Sequence, residues 1–189
     1  MKVWIKALLI LAIIIVAIQI SAYTATGTWH NKFAIQSMSM EPNMHRGDLI
    51  LIQSLHRTNI ITYEDGKTFD YRSFNDYGDI IAFRPSGSFS KTPLLHRAIF
   101  WVENGEEMPN GEFAPYEGYI TKGDNNAGSD LALGINPVKP EWIIGVTRVR
   151  IPYLGYLGIF LGIWFSFILY AVIYAIIVGY LIKREKRVS

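Results

Sequence analysis

The chain has 189 residues, 50% of them hydrophobic, and a formal net charge of +2. It contains no cysteine, which excludes a disulfide framework, a thiolate zinc site and a cysteine nucleophile. The charge is too small for a nucleic-acid footprint, and the piling of apolar residues at both ends leaves the lipid bilayer as the expected partner.

In chain order, the first element is the run ALLILAIIIVAIQI over residues 7–20, preceded by Lys2 and Lys6 and uncharged onward to Trp29. A helix rising about 1.5 Å per residue needs roughly 20 such residues to cross the hydrocarbon core. A transmembrane anchor over residues 1–23 is therefore expected. A cleaved secretory signal is the alternative, disfavoured by the length of the run and by the lack of a close small-x-small pair.

Residues 24–150 form a polar, turn-rich middle. QSMSMEP, residues 36–42, reads as extended chain that stops at Pro42, which has no amide hydrogen and restrains Glu41. In such a strand Ile35, Ser37, Ser39 and Glu41 share a face. DLILIQS from Asp48 reads as a strand, residues 54–76 as a polar, irregular surface excursion, and DIIAFRP from Asp79 as a second strand. LLHRAIFWVE from Leu94 is a third, ending at the hairpin signal Asn104-Gly105, with another at Asn110-Gly111 before GYITKGDNN. WIIGVTRVRI from Trp142 is the last. No long helical period interrupts these runs, so the domain is predicted to be mainly β, and about 125 residues suffice to bury one core.

A second uncharged span runs from Gly155 to Ile182 and ends in KREKR, residues 183–187. Gly158 and Gly162 give it a small-xxx-small pair. The basic flanks predict that both termini are cytoplasmic and that the middle domain lies on the outer face of the cell membrane.

Within that domain, Ser39 stands just before a turn, where a hydroxyl is accessible, and Ser37 is placed to donate to a developing oxyanion. Serines at polar strand ends are also ordinary turn residues. A hydroxyl nucleophile needs a base. Of the four histidines, His30 reads as interfacial, and His45 and His56 as solvated. His96 interrupts an apolar strand, sharing a face with Leu94 and Ala98 while Arg97 points the other way. An imidazole, with an ordinary pKa near ~6.5, suits the task at neutral pH; a satisfied structural histidine is the bland alternative. Either Asp124 or Asp130 could orient the ring. No His-Glu-x-x-His or comparable spacing points to a metal, and no cofactor is implied.

SMEP at 39–42, RGD at 46–48, GDIIAF at 78–83, HRAI at 96–99 and KGDNN at 122–126, with an aspartate six beyond Asp124, lie in that order between two apolar spans. Together they resemble signal peptidase I, nearest to its archaeal and endoplasmic-reticulum members. The resemblance implies a coiled β-sheet domain resting on the membrane between an N-terminal and a C-terminal transmembrane helix. It implies a serine endopeptidase that removes signal peptides from secretory preproteins, cutting after a small residue with another small one two before it. Ser39 is then the nucleophile and His96 the general base, where bacterial relatives place a lysine. Asp130 is the acid with Asp124 in support, and Ser37 joins the Ser39 amide in the oxyanion hole. Met38 departs from the family's usual glycine. Substrate is expected to pair with strand edges near Ser39 or along Ile80, Ile81, Ala82 and Phe83. Met38 and Met40 are candidate pocket walls, core packing being the alternative. A binding module without turnover and a peptidase dedicated to one exported substrate are the competing readings. The sequence identifies no accessory subunit.

Overall fold

Ile80–Phe83, IIAF, carries no polar side chain, and it becomes the strand buried on both faces. Ile80 and Ala82 enter one core cluster with Ile35, Met40, Met44, Ile50 and Ile52. Ile81 and Phe83 enter another with Ala98, Val138 and Val146. The two-residue period of a strand delivers alternate side chains to opposite sides, so an unbroken apolar run requires cover on each. The computed structural model describes residues 2–29 and 31–157.

The elements are α1 (Lys2–Thr26), β1 (Lys32–Ala34), β2 (Leu49–Gln53), α2 (Tyr63–Phe69), β3 (Arg72–Ser73), β4 (Asp76–Tyr77), β5 (Ile80–Phe83), β6 (Leu94–Val102), β7 (Gly118–Lys122) and β8 (Ile143–Ile151). Among the described residues six strands form one antiparallel sheet in the order β1-β2-β8-β5-β6-β7, and β3 and β4 pair separately. A third cluster, Val102, Met108, Ala114 and Ile120, lies under the β6–β7 connection. The expected mainly β class holds for the region from β1 to β8.

Three expectations need correction. The chain is not extended across Ser39: β1 ends at Ala34 and residues 37–43 form turns. The amide of Met44 donates to Met40 O at 2.9 Å, a single helical loop that drops Met40 and Met44 into the core. Second, the segment 54–76 is not irregular throughout. It contains α2, capped by Thr62, whose hydroxyl accepts from the Asp65 amide, and the β3–β4 hairpin. Seven residues are too few to display a helical period. Third, β5 offers no free edge to a substrate, because β8 and β6 flank it on either side.

Helix α1 leaves Ile10, Ile13, Ile14, Val16, Ile18 and Ile20 exposed. Side chains over much of its first half are outside the described set, and among the described residues no helix is long and apolar enough to cross a membrane. His30 and most of the second apolar span, with its basic tail, lie outside the described residues.

The end of β8 is fastened to the turn after Ser39. Arg150 Nη1 donates to Asn43 O at 2.6 Å, and Asp48 accepts from the amides of His45 and Tyr153. Gly47, at φ 90°, lies under the Tyr156 ring, where a Cβ would come within 1.9 Å of a ring carbon.

Candidate active site

β6 carries His96 and Arg97 on opposite faces, and each organises one half of the site. His96 is buried against the edge of the Phe83 ring, at 6.4 Å between centroids. Its Nδ1 lies 2.6 Å from Asp130 Oδ2 and its Nε2 lies 3.2 Å from Ser39 Oγ. Asp130 opens a 3-10 turn after the KGDNN loop and is itself buried. Ser37 Oγ lies 3.1 Å from Ser39 Oγ. Three groups from separate stretches of sequence therefore form one hydrogen-bonded line, and a turn rather than a strand brings the two serine hydroxyls together.

The other aspartate serves elsewhere. Asp124 does not meet His96; it receives Arg97 Nε at 2.8 Å and Arg97 Nη2 at 2.7 Å, a bidentate, buried ion pair. Arg97 Nη1 donates to the carbonyls of Ser73, Tyr77 and Gly78, which docks the β3–β4 hairpin. Asp124 Oδ2 also accepts from Asn43 Nδ2 at 2.8 Å, at the base of the Ser39 turn. Asn125 completes the grip: its amide donates to Ser39 O at 2.9 Å and its side chain to Met38 O at 3.1 Å. Asn43, Arg97, Thr121 and Asn125 were missed from sequence. An arginine inside an apolar strand was the one available signal, since a buried guanidinium demands a carboxylate.

Gly123 touches this grip directly. A Cβ there would meet Ser39 O at 2.7 Å and Asn126 Nδ2 at 2.8 Å. Gly123→Ala is expected to displace the Ser39 turn and lower kcat about 10- to 100-fold, since roughly 1 Å of misplacement can cost that much. Peptide-bond hydrolysis by the purified variant checks it.

The serine–histidine pair opens on a cavity of about 460 Å³ whose lining includes Phe33, Ala34, Ile35, Met40, Ala82 and Leu95. Met40 and Ala82 reach this cavity; Ile80, Ile81, Phe83 and Met38 do not line it. Ile80, Ile81 and Phe83 are core residues, and Met38 is 61% exposed. Met38 is also absent from the residues with positive φ, so its backbone conformation does not call for glycine. Two lengths of unpaired strand face the cavity. Asn31 O accepts from Ile52 N, and Ile35 exchanges bonds with Asp48 and Gly47. The antiparallel alternation then turns the peptide groups of Lys32 and Ala34 outward. Across the cavity, Ala98 N donates to Asp79 O, so Leu95 faces away from β5, and β7 pairs with β6 only from Arg97 onward.

A buried carboxylate, an imidazole and an accessible hydroxyl joined in this order are the arrangement that a serine nucleophile requires. The family described as signal peptidase, peptidase S26, matches residues 1–100, a span that includes Ser37, Ser39 and His96. The chain belongs to that family. It is also 28% identical over 132 residues to the signal peptidase complex catalytic subunit SEC11 of Saccharomyces cerevisiae, in strains YJM789, RM11-1a and JAY291. The alignment covers 68% of this chain and 64% of each relative, so the chain spans less than two thirds of the relatives' length.

Proposed function

We propose that this protein is a membrane-anchored serine endopeptidase that removes signal peptides from secretory preproteins, cutting after a small residue. The observation that carries the reading is the line Ser39–His96–Asp130 at the mouth of an apolar cavity. Membership of the signal peptidase family supports it. In this reading His96 Nε2 takes the Ser39 proton as Oγ attacks the scissile carbonyl carbon. His96 then returns that proton to the amine as the C–N bond breaks. The signal peptide is left as an ester on Ser39, and water deprotonated by His96 hydrolyses it. Ser37 Oγ and the Ser39 amide are the oxyanion donors. Asp130 holds the imidazole, while Asp124 is a positioning residue acting through Arg97 and Asn43.

The substrate segment is extended and lies in the cavity between Ala34 and Leu95, taking main-chain hydrogen bonds from both walls. Phe33, Ile35, Met40 and Leu95 are the apolar walls against which the side chain before the cut packs. Residues 1–23 form the first anchor, 24–150 the outer peptidase domain, and 151–189 a second transmembrane helix with a cytoplasmic tail. The exposed isoleucines of α1 and the basic flanks of both spans support this topology. Anchored so, the enzyme meets a bilayer-held substrate by search in two dimensions.

The test uses the full chain in liposomes and a preprotein with alanine just before the cut and two residues before that. Cleavage at that bond is expected, and phenylalanine just before the cut should lower kcat/KM on the order of 100-fold or more. Failure to cut the alanine substrate, or equal cutting of both, overturns the reading.

A further inference from the structure

Thr121 lies on β7 directly across from Ala98 on β6, and cross-strand partners share a face of the sheet. Ala98 in turn is two residues beyond His96, so Thr121 lies on the same face as the imidazole. Its side chain is buried, and its Oγ1 donates to Asp130 Oδ2 at 2.5 Å. The same oxygen receives His96 Nδ1 at 2.6 Å. The other carboxylate oxygen, Asp130 Oδ1, is buried with no hydrogen-bond partner. A carboxylate can turn about its Cβ–Cγ bond and offer either oxygen. Here both donors converge on one oxygen, and nothing among the described residues holds the second.

We propose that Thr121 is a positioning residue of the active site: its hydroxyl pins Asp130 Oδ2 against His96 Nδ1. The proposal rests on the peptidase reading above. With the donated hydrogen bond in place, the carboxylate keeps one rotational setting, the imidazole keeps its proton on Nδ1, and the Nε2 lone pair stays aimed at Ser39 Oγ. A hydrogen bond to a charged acceptor is stronger than a neutral one, and this one is shielded from water. Losing it lets Asp130 turn, so that a fraction of molecules present the imidazole in the wrong tautomer or tilt. Such a defect affects the chemical step and leaves substrate binding in the cavity intact.

The experiment compares wild type, Thr121→Val, Thr121→Ala and Thr121→Ser as full-length chains in liposomes, with kcat and KM measured separately on one preprotein. Valine preserves the shape and removes the hydroxyl; serine restores the hydroxyl and removes the methyl. Valine and alanine are expected to lower kcat about 10- to 100-fold, the size of a lost hydrogen bond to a charged group, with KM within about twofold. Serine is expected to stay within about threefold of wild type. Wild-type kcat in both hydroxyl-free variants, or a serine variant as poor as valine, overturns the role. So does a rise in KM at constant kcat. An inactive wild type would instead count against the peptidase reading itself, so the two failures are distinguishable.

Discussion

Ser39→Ala should leave preprotein cleavage at or near background, a loss on the order of 10⁴-fold or more in kcat. In the proposed mechanism this hydroxyl is the atom that forms the new bond, and it is Ser39 Oγ, rather than the neighbouring Ser37 Oγ 3.1 Å away, that meets His96 Nε2. His96→Ala should be comparably inactive, since among the described residues no other ionisable side chain is bonded to Ser39 Oγ to take its proton. His96→Lys should fail as well. A lysine can act as a base only when its ammonium form is disfavoured, and here the Asp130 carboxylate would stabilise the charged form. An acylating reagent that labels Ser39 in wild type and not in the His96 variants would report the same chain of proton transfer. Normal turnover by the Ser39 variant would exclude the serine as nucleophile.

The two aspartates should fail in different ways. Asp130→Asn is nearly isosteric, so the fold is expected to survive with a thermal midpoint near wild type. The amide can donate to Nδ1 and favour the wrong tautomer, and kcat should fall on the order of 10³- to 10⁴-fold. Asp124→Ala removes no group that touches the imidazole. It leaves Arg97 buried with its bidentate partner gone and frees the Asn43 side chain beneath the Ser39 turn. Breaking a buried pair from one side costs about 3–5 kcal/mol, so this variant should unfold at markedly lower denaturant, with activity lost alongside stability. Denaturant melts and kcat measured on the same preparations separate the two outcomes. Equal melting of both variants would refute the division of labour.

Much of the sheet was legible because its strands are apolar runs bounded by turn residues. Gly105 and Gly111 sit at positive φ, 78° and 80°, where the Asn-Gly pairs predicted turns. The surroundings of Ser39 were less legible. Two hydroxyls placed on one face of an imagined strand do meet, but through a turn whose shape depends on Asn43 and Asn125 reaching partners far along the chain. Distances of that kind leave no local periodicity. The choice between Asp124 and Asp130 could not be made from spacing, since both lie on one loop, and the loop's path decides which carboxylate passes His96. The three-residue β1 and the seven-residue α2 were too short for any pattern to announce them.

His96 and Arg97 are consecutive on a strand fixed by partners on both sides, with Ile81 opposite the first and Ile80 opposite the second. A slip of one residue in β6, by insertion or deletion upstream within the strand, would send each to the opposite face. The imidazole would then leave the side of Ser39, and the guanidinium would leave Asp124 and the β3–β4 hairpin. The place of the imidazole beside Ser39 and the clamp on the β3–β4 hairpin are thus set by one and the same strand register, and neither can drift without the other.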